Sequence, residues 1–117
     1  MNAMMSQKRD FNTDCHGNPF SEEVIQQVWE KGMIHKNGDK NTVRIGACGH
    51  LILRQAYGGE EGLFWHVDHR KPVAKGGTDD LENLQPMEAE NNIIKGDDYP
   101  EWRCKLGPNR GIKMRAD

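Results

Sequence analysis

The sequence of 117 residues predicts a small single domain of the α+β class, with an N-terminal helical scaffold and a strand–loop–strand–helix unit. Three observations support this prediction: a capped helix pattern near the N-terminus, short β-rich runs separated by glycines, and a second helix pattern ending near residue 96. Hydrophobic residues make up 35% of the chain and charged residues 29%, with 13 glycines, which indicates a small core and many loops.

The first predicted helix lies in the stretch NPFSEEVIQQVWEKG, residues 18–32. Ser21 can cap its first turn, and Phe20 and Ile25 are spaced as a hydrophobic staple. Gly32 is a typical helix end. The apolar stripe of this helix consists of Val24, Ile25, Val28 and Trp29. We therefore interpret the helix as scaffold.

Short strands are predicted between the glycine-containing turns that follow. Val43–Ile45 and Leu51–Leu53 are the first two, and GLFWHVDH, residues 62–69, contains a third. Asn37-Gly38 and Gly58-Gly59 are turn signals between these runs.

A compact loop, a strand and a helix complete the central unit. The loop covers residues 70–83 and contains Pro72 and Gly76-Gly77. A short strand near Leu84 follows, and then the stretch PMEAENNIIKGD predicts a helix with Pro86 in its first turn and Gly96 at its end.

Composition excludes some classes of protein. No run of 18 apolar residues exists, so no segment is predicted to cross a membrane. Cys15, Cys48 and Cys104 stand far apart, and an odd count without a C-x-x-C pair argues against a disulfide framework. We therefore expect the protein to reside in a reducing cytoplasm. We also expect Cys48 to be a small buried residue. Irregular spacing also disfavours a zinc site built from the Cys15-His16 and Cys48-Gly-His50 stretches.

The net charge of −2 and the pI near 6.2 do not by themselves indicate a nucleic-acid binder. The charge is uneven, however, because five cations and no acid lie between residues 102 and 116. These cations are Arg103, Lys105, Arg110, Lys113 and Arg115. This segment has two interpretations, a solvated end of the chain or a source of phosphate contacts.

Polar residues that can support chemistry concentrate in the central unit. Asp68 and His69 follow an apolar strand, and Asn92 and Lys95 share one side of the second predicted helix with Glu88. Aspartate and asparagine oxygens suit Mg²⁺ or Mn²⁺, and a neutral histidine can take a proton from water. The alternatives are a polar turn at Asp68-His69 and a solvated Asn92.

Residues 64–97 resemble the HNH, or ββα-metal (His-Me finger), endonucleases in the order VDH, KGG, DDLENLQP and NNIIKGD. The resemblance implies that His69 is the general base and that Asn83 holds the loop and orients this histidine. It also implies that Asp68 and Asn92 bind one divalent metal ion. Mg²⁺ is the expected ion, with Mn²⁺ or Ni²⁺ as alternatives.

The same resemblance implies DNA as partner and hydrolysis of its phosphodiester bonds. Arg70, Lys71 and Lys95 are candidate phosphate contacts, and the alternative for Lys95 is a surface lysine beside the helix end. One site cuts one strand, so a homodimer is one route to a double-strand break. The implied organisation is a loose segment at 1–18, an endonuclease domain at 19–101 with its motif at about 63–97, and a basic tail at 102–117.

The sequence departs from the family pattern in its cysteines. Many relatives carry two C-x-x-C pairs around a structural zinc, but Glu88 and Asn91 stand where the second pair is expected. We therefore expect no structural zinc, and we expect Met87, Ile93 and Ile94 to hold the helix by apolar packing.

Two features leave alternatives open. Asp68 and His69 would point to opposite faces of a regular strand, so both can reach one site only if the strand bends. His66 shares the Asp68 side, where it is either a surface or DNA-facing residue or a further ligand. The rival functions are a catalytically silent nucleic-acid-binding module of the same fold and a zinc-stapled protein-interaction domain.

Overall fold

The computed structural model describes residues 10–60 and 62–116 and has two α-helices and seven short strands in these ranges. The elements are α1 (Glu22–Trp29), β1 (Met33–Ile34), β2 (Val43–Ile45), β3 (Leu51–Leu53), β4 (Trp65–His69), β5 (Leu84–Glu88), α2 (Ala89–Lys95), β6 (Glu101–Arg103) and β7 (Lys113–Arg115). Neither helix in these ranges has the length and apolar content to cross a membrane.

The strands form three small antiparallel sheets, β1-β2-β3, β4-β5 and β6-β7. The α+β class is therefore confirmed, and so are the predicted bounds of β2 and β3. β4 and β5 pair from Trp65 opposite Glu88 to His69 opposite Leu84, and α2 follows β5 without a loop. This hairpin and helix form the predicted ββα unit.

Helix α1 packs against β5 and forms as its sequence predicts. The Ser21 hydroxyl accepts a hydrogen bond from the Val24 backbone N–H at 3.2 Å, which satisfies one of the free donors of the first turn. Ile25, Val28 and Trp29 are buried on one side. The helix ends three residues before Gly32, whose N–H donates to the Trp29 carbonyl.

Two apolar clusters flank the β4–β5 hairpin. The first joins α1 to the hairpin and consists of Ile25, Val28, Trp29, Ile52, Trp65, Val67 and Leu84. The second lies on the opposite face of the hairpin, which it contacts through Met87 of β5, and consists of Cys48, Met87, Trp102, Cys104 and Ala116. The hairpin is therefore held on two sides, which fixes the position of the polar residues at its end.

The C-terminal segment takes part in the second cluster. Residues 102–116, which the sequence predicts as a basic tail, contribute to the β6–β7 hairpin and bury Trp102 and Ala116. Burial of the Trp102 side chain contributes toward the entropic cost of ordering this short hairpin.

Cys48 and Cys104 form a disulfide with 6.0 Å between their Cα atoms. The expectation that the cysteines form no disulfide is therefore wrong, because residues 56 positions apart meet in the second cluster. Cysteine spacing along the chain does not reveal such a long-range contact. With this disulfide, the cysteines no longer indicate a reducing compartment; Cys15 is a free, exposed thiol.

Helix α2 begins later than predicted. Pro86, Met87 and Glu88 belong to β5, where Pro86 lies opposite Val67 and its carbonyl accepts the Ala47 N–H at 2.9 Å. A proline is tolerated at this position because the Val67 N–H donates to Asn12 and not to Pro86, so this pair of residues needs no N–H from the proline. Gly96 ends the helix with a positive φ of 51°, as the sequence predicts.

The predicted packing of α2 is also wrong in part. Ile93 and Ile94 are 40% and 53% exposed, whereas Asn91, Asn92 and Lys95 are buried against the hairpin. Only Met87 packs as expected, from β5. Polar side chains can be buried on this side of the helix because each of them forms hydrogen bonds with specific partners. These hydrogen bonds hold the helix in place of the predicted apolar contacts.

Glu88 and Asn91 are the centre of that polar contact. The Glu88 carboxylate accepts the backbone N–H groups of Cys48 at 3.1 Å and His50 at 2.8 Å. Asn91 donates to Glu88 at 3.1 Å and accepts the N–H groups of Lys105 and Leu106 at 2.6 and 2.8 Å. Glu88 and Asn91, which stand where the family has its second cysteine pair, thus join the start of α2 to the loops at residues 48–50 and 105–106.

We expect Glu88→Ala to lower the free energy of unfolding by at least about 3 kcal/mol, because it leaves several buried donors without an acceptor. Denaturant unfolding measures the loss. Glu90→Ala is the matched control, because it removes the same side chain two residues later, where the residue is only half-buried. If the two variants unfold at the same denaturant concentration, the Glu88 network does not hold the helix.

Candidate active site

A cavity of about 340 Å³ lies where β4, the following loop and the end of α2 meet. Asp68, His69 and Asn92 all border it, so the fold brings three of the predicted site residues together. The N-terminal segment, residues 10–13, forms another wall.

Asp68 and His69 contact different elements, as the alternation of a strand requires. The Asp68 side chain bonds Gln85 of β5 and Lys95 of α2, whereas the His69 ring lies near Phe20 and bonds Asp79. Both nevertheless border the cavity, because they stand at the last two positions of β4, where the strand gives way to the loop.

The Asp68 carboxylate is almost completely buried, with 5% of the residue exposed. Gln85 donates to its Oδ2 at 2.9 Å, and the Lys95 ammonium lies 3.3 Å from its Oδ1. Burial raises the pKa of Asp68, and the Lys95 charge and the Gln85 hydrogen bond oppose that rise. The anionic form of Asp68 therefore depends on a nearby cation.

Lys95, predicted as a phosphate contact, is in the interior instead. The residue is 1% exposed, and its ammonium bonds Asp68 and the His69 carbonyl while lying 5.4 Å from the centre of the Trp102 ring. An ammonium in this position cannot reach a phosphate on the protein surface. The prediction failed because the polar side of α2 faces the hairpin and not the solvent.

The Asn92 side chain is held by His66. His66 Nε2 lies 2.6 Å from the Gly59 carbonyl oxygen, which only accepts, so Nε2 carries the proton of the neutral ring. Nδ1 then accepts from the Asn92 amide nitrogen at 2.9 Å. Burial lowers the pKa of His66 and favours this neutral form. The hydrogen bond thus fixes Asn92 with its nitrogen on His66.

His66 is therefore neither at the surface nor facing a nucleic acid. It is fully buried, and the Phe11 ring stacks on it with 4.9 Å between ring centres. Its spacing with Asp68 in the sequence indicated a shared side of the strand, but its contact with Asn92 could not be read from the sequence.

The His69 imidazole is held on one nitrogen and against one ring. Its Nε2 lies 2.8 Å from Asp79 Oδ1, and the Phe20 ring is 5.8 Å away between centres. The side chain is 10% exposed. A histidine with one fixed nitrogen and one remaining nitrogen suits proton transfer.

Asn83 holds the loop between β4 and β5. Its Oδ1 accepts the Lys71 N–H at 2.9 Å, and its Nδ2 donates to the carbonyls of Lys71 and Thr78 at 3.2 and 2.8 Å. The Asn83 carbonyl also accepts the Arg70 N–H at 2.7 Å. Its contacts are with the loop backbone, so it can influence His69 only through the shape of this loop.

The remaining predicted phosphate contacts, Arg70 and Lys71, are the first two residues of this loop. Arg70 is half-buried and Lys71 is exposed, with its ammonium 5.9 Å from the centre of the Tyr99 ring. In the C-terminal segment, Lys113 and Arg115 pair with Glu101 at 3.5 and 3.2 Å, and Lys105 pairs with Glu90 at 3.3 Å.

The N-terminal segment adds residues that the sequence did not indicate. Within residues 10–18, which the sequence predicts as loose, Phe11 stacks on His66 of β4, and Asn12 Oδ1 accepts the Val67 N–H at 2.8 Å. Asn12 has a φ of 62°, a left-handed conformation that asparagine tolerates. Residues 1–9 of the predicted loose segment lie outside the described residues.

Comparison with known proteins identifies the central region. Residues 48–89 match the family model described as HNH endonuclease, which confirms the resemblance over this part of the chain. Asp68, His69 and Asn83 fall inside the match, whereas Asn92 lies just beyond it. No curated protein and no solved structure matches the chain.

Proposed function

We propose that this protein is a metal-dependent endonuclease that hydrolyses DNA phosphodiester bonds. The observation that carries the proposal is the meeting of a carboxylate, an amide and an imidazole at one cavity, with the first and third inside the matched HNH region. HNH endonucleases typically hydrolyse DNA with the help of a divalent metal ion.

The side chains at the cavity fit a divalent ion. Asp68 uses one hydrogen bond on each carboxylate oxygen, which leaves lone pairs for a cation. The Asn92 amide nitrogen is turned to His66, so its oxygen is the atom left for an ion. Mg²⁺ suits two such oxygen ligands because it keeps several of its waters.

In the proposed reaction, His69 takes a proton from the water that attacks the phosphorus. Asp68 and Asn92 would hold the ion, which when bound would stabilise the negative charge of the phosphate and of the departing 3′ oxygen. The products would carry 5′-phosphate and 3′-hydroxyl ends.

Phosphate contacts are proposed for Arg70 and Lys71 beside the site. The net charge of −2 gives the chain no overall attraction to DNA, and three of the five C-terminal cations pair with acids. We therefore expect weak, salt-sensitive binding with little sequence preference. One site cuts one strand, so double-strand cleavage would need two subunits or two events.

Conversion of supercoiled plasmid to open circles tests the proposal. The protein is incubated with plasmid and Mg²⁺, Mn²⁺ or Ni²⁺, with a chelator and with no added metal. Nicking that requires the metal supports the proposal. Binding of DNA without nicking under all three metals would instead identify a catalytically silent module.

The contact between His66 and Asn92 leads to a separate prediction. His66→Phe removes the acceptor that orients the Asn92 amide, so affinity for Mn²⁺ should fall by about 10- to 100-fold, as for other residues that orient metal ligands. Calorimetric titration measures the affinity, and thermal melting checks the fold. His16→Phe, on an exposed histidine, is the control. An unchanged affinity in folded His66→Phe would show that His66 does not orient the ligand.

A further inference from the structure

We infer that Asp79 is a positioning residue for the His69 base, holding its ring in one orientation and one tautomer. This inference rests on the proposed function, because it assigns a partner to the proposed base. Asp79 is in the loop between the glycine pair and Asn83, and the family resemblance assigned it no role.

The geometry determines which nitrogen of His69 carries the proton. Asp79 Oδ1 lies 2.8 Å from His69 Nε2, and an ionised carboxylate can only accept a hydrogen bond. Nε2 must therefore be the donor, which leaves Nδ1 without a proton in the neutral ring. Nδ1 is then the nitrogen able to take a proton from water.

The Asp79 carboxylate is itself held in its ionised form. The Cys15 backbone N–H lies 3.1 and 3.2 Å from its two oxygens, in addition to the contact with His69. Partial burial acts to raise the pKa of Asp79, but the hydrogen bonds from His69 and Cys15 outweigh it and hold the pKa below its usual value.

The loop that carries Asp79 is closed tightly on both sides. A Cβ atom added at Gly77 would lie 1.7 Å from the Lys71 carbonyl oxygen, so only glycine allows this approach. Asn83 bonds Lys71 and Thr78, the residue before Asp79. The loop therefore presents the carboxylate from a fixed backbone. Phe20 limits the His69 ring on another side.

Asp79 could instead serve only to fasten the N-terminal segment through Cys15. The two roles separate in their effect on the His69 ring. A fastening role alone would leave the tautomer of His69 unchanged when the carboxylate is removed, whereas a positioning role requires the tautomer to change.

The experiment compares Asp79→Ala, Asp79→Glu and Asp80→Ala with the wild-type full chain. Asp80 is the matched control because it is adjacent, exposed and carries the same charge. Two quantities are measured: plasmid nicking with Mg²⁺ over a range of DNA concentrations, and the ¹⁵N chemical shifts of the His69 imidazole without metal or DNA. His69→Ala identifies the signals of that ring.

We expect the wild type and Asp80→Ala to show a proton on Nε2 and none on Nδ1. Asp79→Ala should show averaged shifts from both tautomers and a kcat lower by about 10- to 100-fold, with a smaller change in KM. Asp79→Glu, which keeps the carboxylate, should recover part of both effects.

Three results would overturn the inference: a wild-type ring with its proton on Nδ1, an Asp79→Ala ring with unchanged shifts, or equal kcat in Asp79→Ala and Asp80→Ala. If the wild type nicks no DNA, the proposed function fails, but the ¹⁵N shifts still decide whether Asp79 sets the His69 tautomer. Thermal melting of each variant separates these effects from unfolding.

Discussion

Replacing His69 with alanine should lower the rate of plasmid cleavage by about 10²–10⁴-fold, the usual contribution of a positioned general base. Metal affinity should stay near that of the wild type, because the His69 ring contacts Asp79 and Phe20 and is not a proposed ligand. Nicking assays with Mg²⁺ measure the rate, and added imidazole should restore part of it by supplying a base.

His35→Ala is the control, because His35 lies in the turn after β1 and does not line the cavity. Its Nδ1 accepts the Asn37 N–H within this turn. It should cleave at the wild-type rate. A His69→Ala variant that folds and cleaves as fast as His35→Ala would remove His69 from the mechanism.

Asp68→Asn should reduce metal affinity by at least about 100-fold, more than the loss of a residue that only orients a ligand. The reason is that Asp68 is the one charged ligand of the proposed pair. Cleavage should fall with it, and high metal concentration should restore part of the activity. Calorimetric titration with Mn²⁺ measures the affinity.

The buried pair of Asp68 and Lys95 complicates that variant, because Asp68→Asn leaves the Lys95 ammonium without a carboxylate at a cost of about 3–5 kcal/mol. The double variant Asp68→Asn with Lys95→Met removes both charges and should fold. Lys95→Met alone keeps the carboxylate and should bind the ion at least as tightly as the wild type. Equal affinities in the double variant and in Lys95→Met would exclude Asp68 as a ligand.

The sequence predicted well those features that depend on local patterns. Ser21 and the apolar stripe predicted α1, and two short β-rich runs predicted β2 and β3 with their bounds. The order Asp68-His69, Asn83 and Asn92 predicted a ββα unit, and the structure places the first two and the last at one cavity. These features depend on residues close together in the chain or on a motif with fixed spacing.

The sequence failed where distant residues decide the outcome. Cys48 and Cys104 pair because the β6–β7 hairpin returns to the second cluster, and nothing near either cysteine predicts that. The sides of α2 were assigned by hydrophobicity, but Glu88 and Asn91 bond two distant loops and turn the polar side inward. Asp79 was missed because acidic residues are common in loops, and only its distance from His69 distinguishes it.

Calorimetric titration of Mn²⁺ into the wild type, His69→Ala and the Asp68→Asn, Lys95→Met double variant tests the central claim, that the cavity separates a metal-binding side from a base. We expect one ion bound by the wild type and by His69→Ala with similar affinity, and much weaker binding by the double variant. Loss of metal in His69→Ala together with wild-type affinity in the double variant would contradict the claim and place the ion on His69 instead.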